Sequence, residues 1–508
     1  MSEIEAAIAL HRSGDLPAAQ AAYAAILARD PGNAEAIAML GVMAHQRGRP
    51  DAALDLIDRA IFLNPAPDWL HAHRCTALCA LGRLEEALEA ILEAERRGLD
   101  PLHCLFIRGN ILCDLRRYAE GAALYEQALA LDPGQIAVRL NLGMARWRQG
   151  ALDAAEAAFQ QALASHAELA EAHYGLGLIH RARNDLIAAN LSQRAATAID
   201  PGHAKAQLEL GELDLLAGFF REGFAGYEWR YHLPHAIGLL PQFDTPAWDG
   251  SDLKGEGLFV YVEQGYGDSM MFARFLPLAA ARGARIVLGV SAPLARLFQG
   301  FPGVERLVTN WQEAAPYQRH APISSLPLLL GVDSPAAIPK APYLKADPAA
   351  VARFKAKIGA GPPAVGLVWS GRPENPNDQK RSLPADMLPP LAATGARLFS
   401  LQKDASLPIG LHAVDLAPDL EDFADAAAAI EALDLVITVD TAIAHLAGAL
   451  GKPVWILLPF APDWRWRLER TDSDWYPSAR LFRQPSPGDW DSVLRALKDQ
   501  LASFTQRA

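Results

Sequence analysis

Shifting the chain against itself by 34 residues puts Gly41, Cys75, Gly109, Gly143, Gly177 and Gly211 in one column, and no other feature narrows the fold as far. A second column reads Ala19, Ala53, Ala87, Gly121, Ala155, Ala189 and Gly223, and a third Ala60, Ala94, Ala128, Ala162 and Ala196. Between them runs a bulkier column: Tyr23, Ile57, Ile91, Tyr125, Phe159, Gln193 and Tyr227. A unit this short buries its apolar face only against its neighbours. Small residues at fixed offsets let helices approach closely and the bulky column fills the remaining gap, so each unit is expected to be a helical hairpin. Asp30-Pro31, Asn64-Pro65, Asp100-Pro101, Asp132-Pro133 and Asp200-Pro201 are expected to mark the stops of second helices. Proline cannot continue a helix and restricts the residue before it.

These columns resemble the tetratricopeptide repeat, which predicts an α-solenoid over residues 1–231. The resemblance implies a protein partner gripped by the repeats, with a spacer or dimerisation arm as the alternative. The repeat-bearing O-GlcNAc transferases carry asparagines at one recurring position; here it reads Met39, His73, Ile107, Asn141, Gly175 and Glu209, so that ladder is absent. Cys75 in the glycine column reads as a small buried side chain. Cys79, Cys104 and Cys113 fit neither a zinc site nor a disulfide framework.

At 508 residues the chain is long enough for several cores, and 51% hydrophobic against 21% charged residues is a globular balance. The net charge of −12 divides into −9 over residues 1–235 and −3 over 236–508. No domain has the basic surplus a nucleic-acid partner needs. The longest apolar runs, such as 454–462, are far short of the ~18 residues of a membrane span. The start, Met1-Ser-Glu-Ile-Glu5, lacks a secretory pattern. A cytoplasmic location without a membrane span is expected.

The period stops at residues 232–257, where prolines 234, 241 and 246 predict a packed linker. Continuous apolar strands then alternate with helices, which argues parallel sheets covered on both faces. One α/β half is expected at 258–345, with strands at 258–262 and 285–290 and helices at 269–281 and 293–299. A second is expected at 346–508, with strands at 364–369, 396–401, 433–439 and 454–458 and helices at 386–393, 422–433 and 441–450. Ligands of such sheets bind beyond the carboxyl ends of the strands, here in a cleft between two halves.

Three loops beyond strand ends hold the right chemical groups. In Glu263-Gln-Gly-Tyr-Gly-Asp268 the glycines allow a tight turn, and Asp268 can serve as a helix cap or as the general base for an acceptor hydroxyl. In the loop from Ser370 to Ser382, Ser370, Gly371, Lys380 and Arg381 supply what a bound diphosphate needs, against the alternative of a solvated basic loop. In Asp440-Thr441-Ala-Ile-Ala-His445, Thr441 opens a small-residue helix whose amides and positive dipole end face the cleft. His445 shares a face with Thr441, the alternative being a packed structural histidine. Gly448-x-x-Gly451-Lys452-Pro453 lacks the length and Ser/Thr of a P-loop. Asp472-Ser-Asp474 has the DxD form of metal-dependent transferases but lies away from a strand end and is assigned to a turn.

Residues 240–500 resemble a GT-B glycosyltransferase related to the lipopolysaccharide heptosyltransferases. The match rests on Gly267-Asp268 and on Asp440-Thr-Ala-Ile-Ala-His445-Leu-Ala. With Val365-Gly-Leu-Val-Trp-Ser-Gly371, Ser400-Leu-Gln-Lys403 and Pro462-Asp-Trp-Arg-Trp466, the whole is similar to bacterial repeat-fused transferases, some implicated in glycosylating flagellin. The resemblance implies Asp268 as base and Ser370, Gly371, Lys380 and Arg381 on the donor phosphates. It places Gln402 at the ribose or base, and Asp440, Thr441 and His445 along the nucleotide-sugar site. It implies no metal and no cofactor beyond the nucleotide-sugar as co-substrate. The function expected is inverting sugar transfer to a hydroxyl of a protein held by the repeats. A glycan or lipid-linked acceptor, or an inactive scaffold, are the alternatives.

Overall fold

The computed structural model describes residues 2–234, 236, 242–372 and 378–507. Part of the expected linker and positions 373–377 of the Ser370 loop lie outside them. Two compact units divide between Ile179 and His180, within the sequence repeats.

In the first unit, helical hairpins follow one another from Glu3–Arg12 and Leu16–Arg29 to Ile136–Arg148 and Leu152–Ser165, each packing on the next. The columns explain the packing. Phe159 fills the space between Gly143 and Gly175, where an added Cβ would come within 2.7 Å of its ring at Gly143 and closer still at Gly175. Cys75 is buried among Ile57, Leu78 and Ile91. Asp30 and Asp132 sit at helix C-caps and accept the amides of Gly32 (3.2 Å) and Gly134 (2.9 Å), turning the chain into the next hairpin. Asp100-Pro101 departs from the expectation. The preceding helix, Leu84–Arg96, has already ended, and Asp100 instead N-caps Pro101–Asp114 by accepting the His103 amide at 2.9 Å. Proline at the first helical position removes only an amide that has no intrahelical partner.

The second unit opens with Leu186–Ile199, Ala204–Ala217 and Phe220–Tyr227 and continues into two parallel sheets. The first sheet contains β1 (Gly257–Tyr261), β2 (Arg285–Gly289), β3 (Val304–Val308) and β4 (Arg319–Pro322) in the order β3-β2-β1-β4. The second contains β5 (Ala364–Val368), β6 (Arg397–Ser400), β7 (Ala413–Asp415), β8 (Leu435–Val439), β9 (Val454–Leu458) and β10 (Ala479–Arg483) in the order β10-β9-β8-β5-β6-β7. Strand order reverses between β5 and β8, so the loops after them flank a topological switch point. These are the paired parallel sheets of a GT-B fold. The helix expected at 386–393 is two 3-10 turns, Ala385–Met387 and Pro389–Thr394. Pro390 has no N–H to give the i→i−4 bond an α-helix would need there.

One apolar core joins the last repeat to both sheets: Leu215, Phe220, Phe224 and Tyr227 cluster with Leu258, Met270, Ile456, Trp464 and Trp475. No helix among the described residues is long and apolar enough to cross a membrane.

Candidate active site

The helix expected from residue 269 starts earlier, at Tyr266, directly beyond β1, so Gly265 is the N-cap of Tyr266–Phe272 and Asp268, expected at the cap, is the third residue of the first turn. Its Oδ2 accepts the Gly265 amide at 3.2 Å, and its Oδ1 is ion-paired with Arg465 from the second sheet's side. The adjoining Gly267 lies against His445; an added Cβ would be 2.6 Å from the imidazole Cδ2. The loop after β1 and the helix after β8 therefore meet at one place.

That helix, Ala442–Leu450, has Thr441 at its N-cap with no side-chain capping bond; the Thr441 hydroxyl lies 3.0 Å from that of Thr438. The first amides of the helix are thus not capped by Thr441. His445 is buried, its Nδ1 2.9 Å from the Tyr476 hydroxyl and its ring stacked on Trp466. Burial, reinforced by the Arg465 charge, pushes its pKa down to about 3. The imidazole is neutral, so its 4.0 Å separation from Asp440 is not an ion pair. Burial, then the negative charge of Asp463, pushes Asp440 up to about 6. Burial pushes Asp463 up, but the adjoining Arg465 charge, with hydrogen bonds from the Arg465 backbone and side chain, holds it below its ordinary value.

Beyond β5, Gly371 donates its amide to the Ser382 hydroxyl at 3.1 Å and lies against the side-chain ends of Asp378 and Arg381. Arg381 pairs with Asp378 at 3.3 Å, and its charge acts on Asp440 and His445. Lys380 is exposed on the short helix Asp378–Arg381. Ser370 gives its amide to Gln402, which accepts a second amide from Trp369, both at 3.0 Å, while its own Nε2 donates to the Lys403 carbonyl. Gln402 thus spends its polar atoms on the backbone that shapes the Ser370 loop.

Both carboxylates of the Asp472-Ser-Asp474 run are taken by Arg470. Among the described residues no group of His, Cys, Asp or Glu is arranged to hold a metal ion. Lys452 donates to the Glu431 carbonyl at 3.0 Å, outside any phosphate-cradling turn.

Arg465, Asp463, Arg274 and Glu263 are site neighbours that residue type and spacing do not mark out. Arg274 is buried and donates to the Trp475 and Pro339 carbonyls and the Tyr343 hydroxyl, tying the first half to the second. Glu263 is enclosed by Arg230, Tyr231 and Ser324, and burial raises its pKa. The signal for Arg465 is a cation between two tryptophans, Trp464 and Trp466, in the segment that follows β9.

Residues 398–458, from β6 to β9, match the glycosyltransferase family 9 (heptosyltransferase) profile, and residues 4–67, 76–136 and 113–179 match tetratricopeptide repeat profiles. The chain therefore carries tetratricopeptide repeats followed by a family 9 glycosyltransferase domain. Among curated relatives, it is 29% identical over 537 residues to Protein FlbA of Caulobacter vibrioides, covering 98% of this chain and 83% of that one. A tetratricopeptide repeat protein of Parabacteroides merdae shares 16% identity at a TM-score of 0.41, covering 44% of this chain and 90% of the other. YrrB, described as a TPR protein with an unusual peptide-binding site, shares 18% at 0.31, covering 36% of this chain and 95% of its own.

Proposed function

We propose that the chain is an inverting, metal-independent glycosyltransferase that moves a sugar from a nucleotide-sugar to a hydroxyl of a protein held by its repeats. The observation carrying this reading is the meeting of the Gly267-Asp268 turn beyond one sheet with Ala442 and His445 of the helix beyond the other, within a family 9 domain. In the reaction, the acceptor oxygen attacks the anomeric carbon and its proton passes to the Asp268 carboxylate. The bond from that carbon to the diphosphate breaks, and the electron pair leaves on the diphosphate. The open N-terminus of Ala442–Leu450, Lys380 and Arg381 meet the developing negative charge. Fixed dipoles and cations of this kind do the work a metal does elsewhere. Gln402 contributes by holding the amides of Trp369 and Ser370 in place. The protein acceptor follows from the repeats, and flagellin is the first candidate on the resemblance described above.

The test is calorimetry and hydrolysis with the full chain against a panel of nucleotide-sugars. At least one is expected to bind and to be hydrolysed slowly without acceptor, with Lys380→Ala and Thr441→Ala weakening its binding and a chelator leaving the rate unchanged. A chain that binds none of them is a scaffold.

A further inference from the structure

Both oxygens of the Asp268 carboxylate are fixed, and from opposite directions. Oδ2 takes the Gly265 amide of its own turn, whereas Oδ1 takes Nη2 of Arg465, almost two hundred residues later. Arg465 is itself immobilised. Its side chain is 8% exposed, Nη1 donates to Asp463 at 2.8 Å, its backbone amide donates to the same oxygen at 3.0 Å, and its guanidinium lies 4.3 Å from the Trp464 ring centre.

The segment bearing Arg465 is clamped by the last repeats. The Trp464 ring packs edge-on to Phe224 and Tyr227 at centroid distances of 6.1 and 5.7 Å. Asn184 donates to the Phe460 carbonyl at 2.7 Å, and Arg467 donates to the Ala217 carbonyl at 3.1 Å. On the other side Trp466 stacks on His445.

We infer that Arg465 is a positioning residue that aims the Asp268 carboxylate at the acceptor hydroxyl, and that the terminal repeat hairpin holds Arg465 in register. The inference rests on the transferase reading, with Asp268 as base. A carboxylate tied only to Gly265 rotates about its side-chain torsions, and a misplacement of about 1 Å can cost on the order of 100-fold in rate. The planar guanidinium spans two carboxylates with separate N–H groups, which a lysine ammonium on a flexible stem does less well.

The experiment compares the full chain with Arg465→Gln and Arg465→Lys, reading kcat, donor and acceptor KM, donor affinity and melting. Arg465→Gln is expected to lower kcat by about 10- to 100-fold with both KM values and donor affinity within about two-fold, and Arg465→Lys to recover part of the loss. A wild-type kcat in Arg465→Gln, a loss confined to KM, or no recovery with lysine overturns the inference. Should Arg465→Gln fail to fold, Arg465→Lys decides alone. A several-fold lower kcat at unchanged KM supports positioning, and a wild-type kcat or an unfolded lysine variant overturns it. A wild-type chain that neither binds nor hydrolyses any nucleotide-sugar fails at the transferase reading itself, and the inference falls with it.

Discussion

Gly267 lies so close to His445 that a single added carbon would come within 2.6 Å of the imidazole. The ring cannot retreat, being held by the Tyr476 hydroxyl and the face of Trp466. Gly267→Ala is therefore expected to destabilise the second unit by about 1–3 kcal/mol, the usual result of overfilling a packed site. It should also displace the turn that carries Asp268. Melting curves and transfer rates of this one variant check both effects.

Asp268→Asn is expected to leave donor affinity within a few-fold and lower transfer by roughly 100- to 10,000-fold, as for loss of a general base. An asparagine Oδ1 can still accept the Gly265 amide that the carboxylate takes from the first turn. The Arg465 ion pair adds a structural term, since a hydrogen bond to a charged group contributes about 1.5–3 kcal/mol. A lower melting temperature is thus expected whether or not Asp268 is the base. The distinguishing measurement is kcat at saturating donor and acceptor on protein shown to be folded, and a normal value would remove Asp268 from the chemistry.

The neutral His445 leaves a mark on stability against pH. Its folded pKa, about 3, lies below the ordinary 6.5, so between these values the unfolded chain binds more protons. Its contribution is full above pH 6.5 and is lost as pH falls, by at most about 1.4 kcal/mol per unit. Asp440, raised to about 6, acts in the opposite sense, stabilising at low pH and losing that contribution as pH rises towards 6. The difference between the wild-type and His445→Gln unfolding free energies, followed from pH 7 to 4, isolates the histidine. The wild type should lose more stability on acidification.

Two truncations are expected to differ. A chain starting at residue 180 keeps Phe220, Phe224 and Tyr227 over Trp464 and Trp475, and should fold, bind donor within a few-fold of the full chain, and lose transfer to a protein acceptor. A chain starting at residue 232 exposes those tryptophans and loses the Asn184 and Ala217 contacts to the 460–467 segment. It should aggregate or melt well below the longer fragment, as circular dichroism on both would show.

The repeat columns were legible because a helix hairpin's packing partner lies one period away, so sequence offset and spatial contact coincide. The buried strands β1, β5, β8 and β9 were legible as continuous apolar runs. Strands β3, β7 and β10, partly exposed, and the four-residue β4 went unassigned, because half-covered or short strands carry no such run. The three loops at the strand ends were read from residue type alone. What no offset encodes is that Arg465 reaches Asp268, or that Gln402 turns to the backbone of Trp369 and Ser370. Those depend on how strands from distant parts of the chain are ordered.

The last hairpin follows the 34-residue period yet forms one wall of the unit that contains Arg465 and Asp268. That double membership divides the array by its freedom to vary. Upstream of His180, whole repeats can be duplicated, deleted or exchanged over generations, altering the surface the arm presents, because each repeat answers only to its neighbours. Leu186–Tyr227 has no such latitude. A lineage that reshuffled it would alter the glycosyltransferase domain along with the arm, so diversification of this architecture is expected to accumulate toward its N-terminal end.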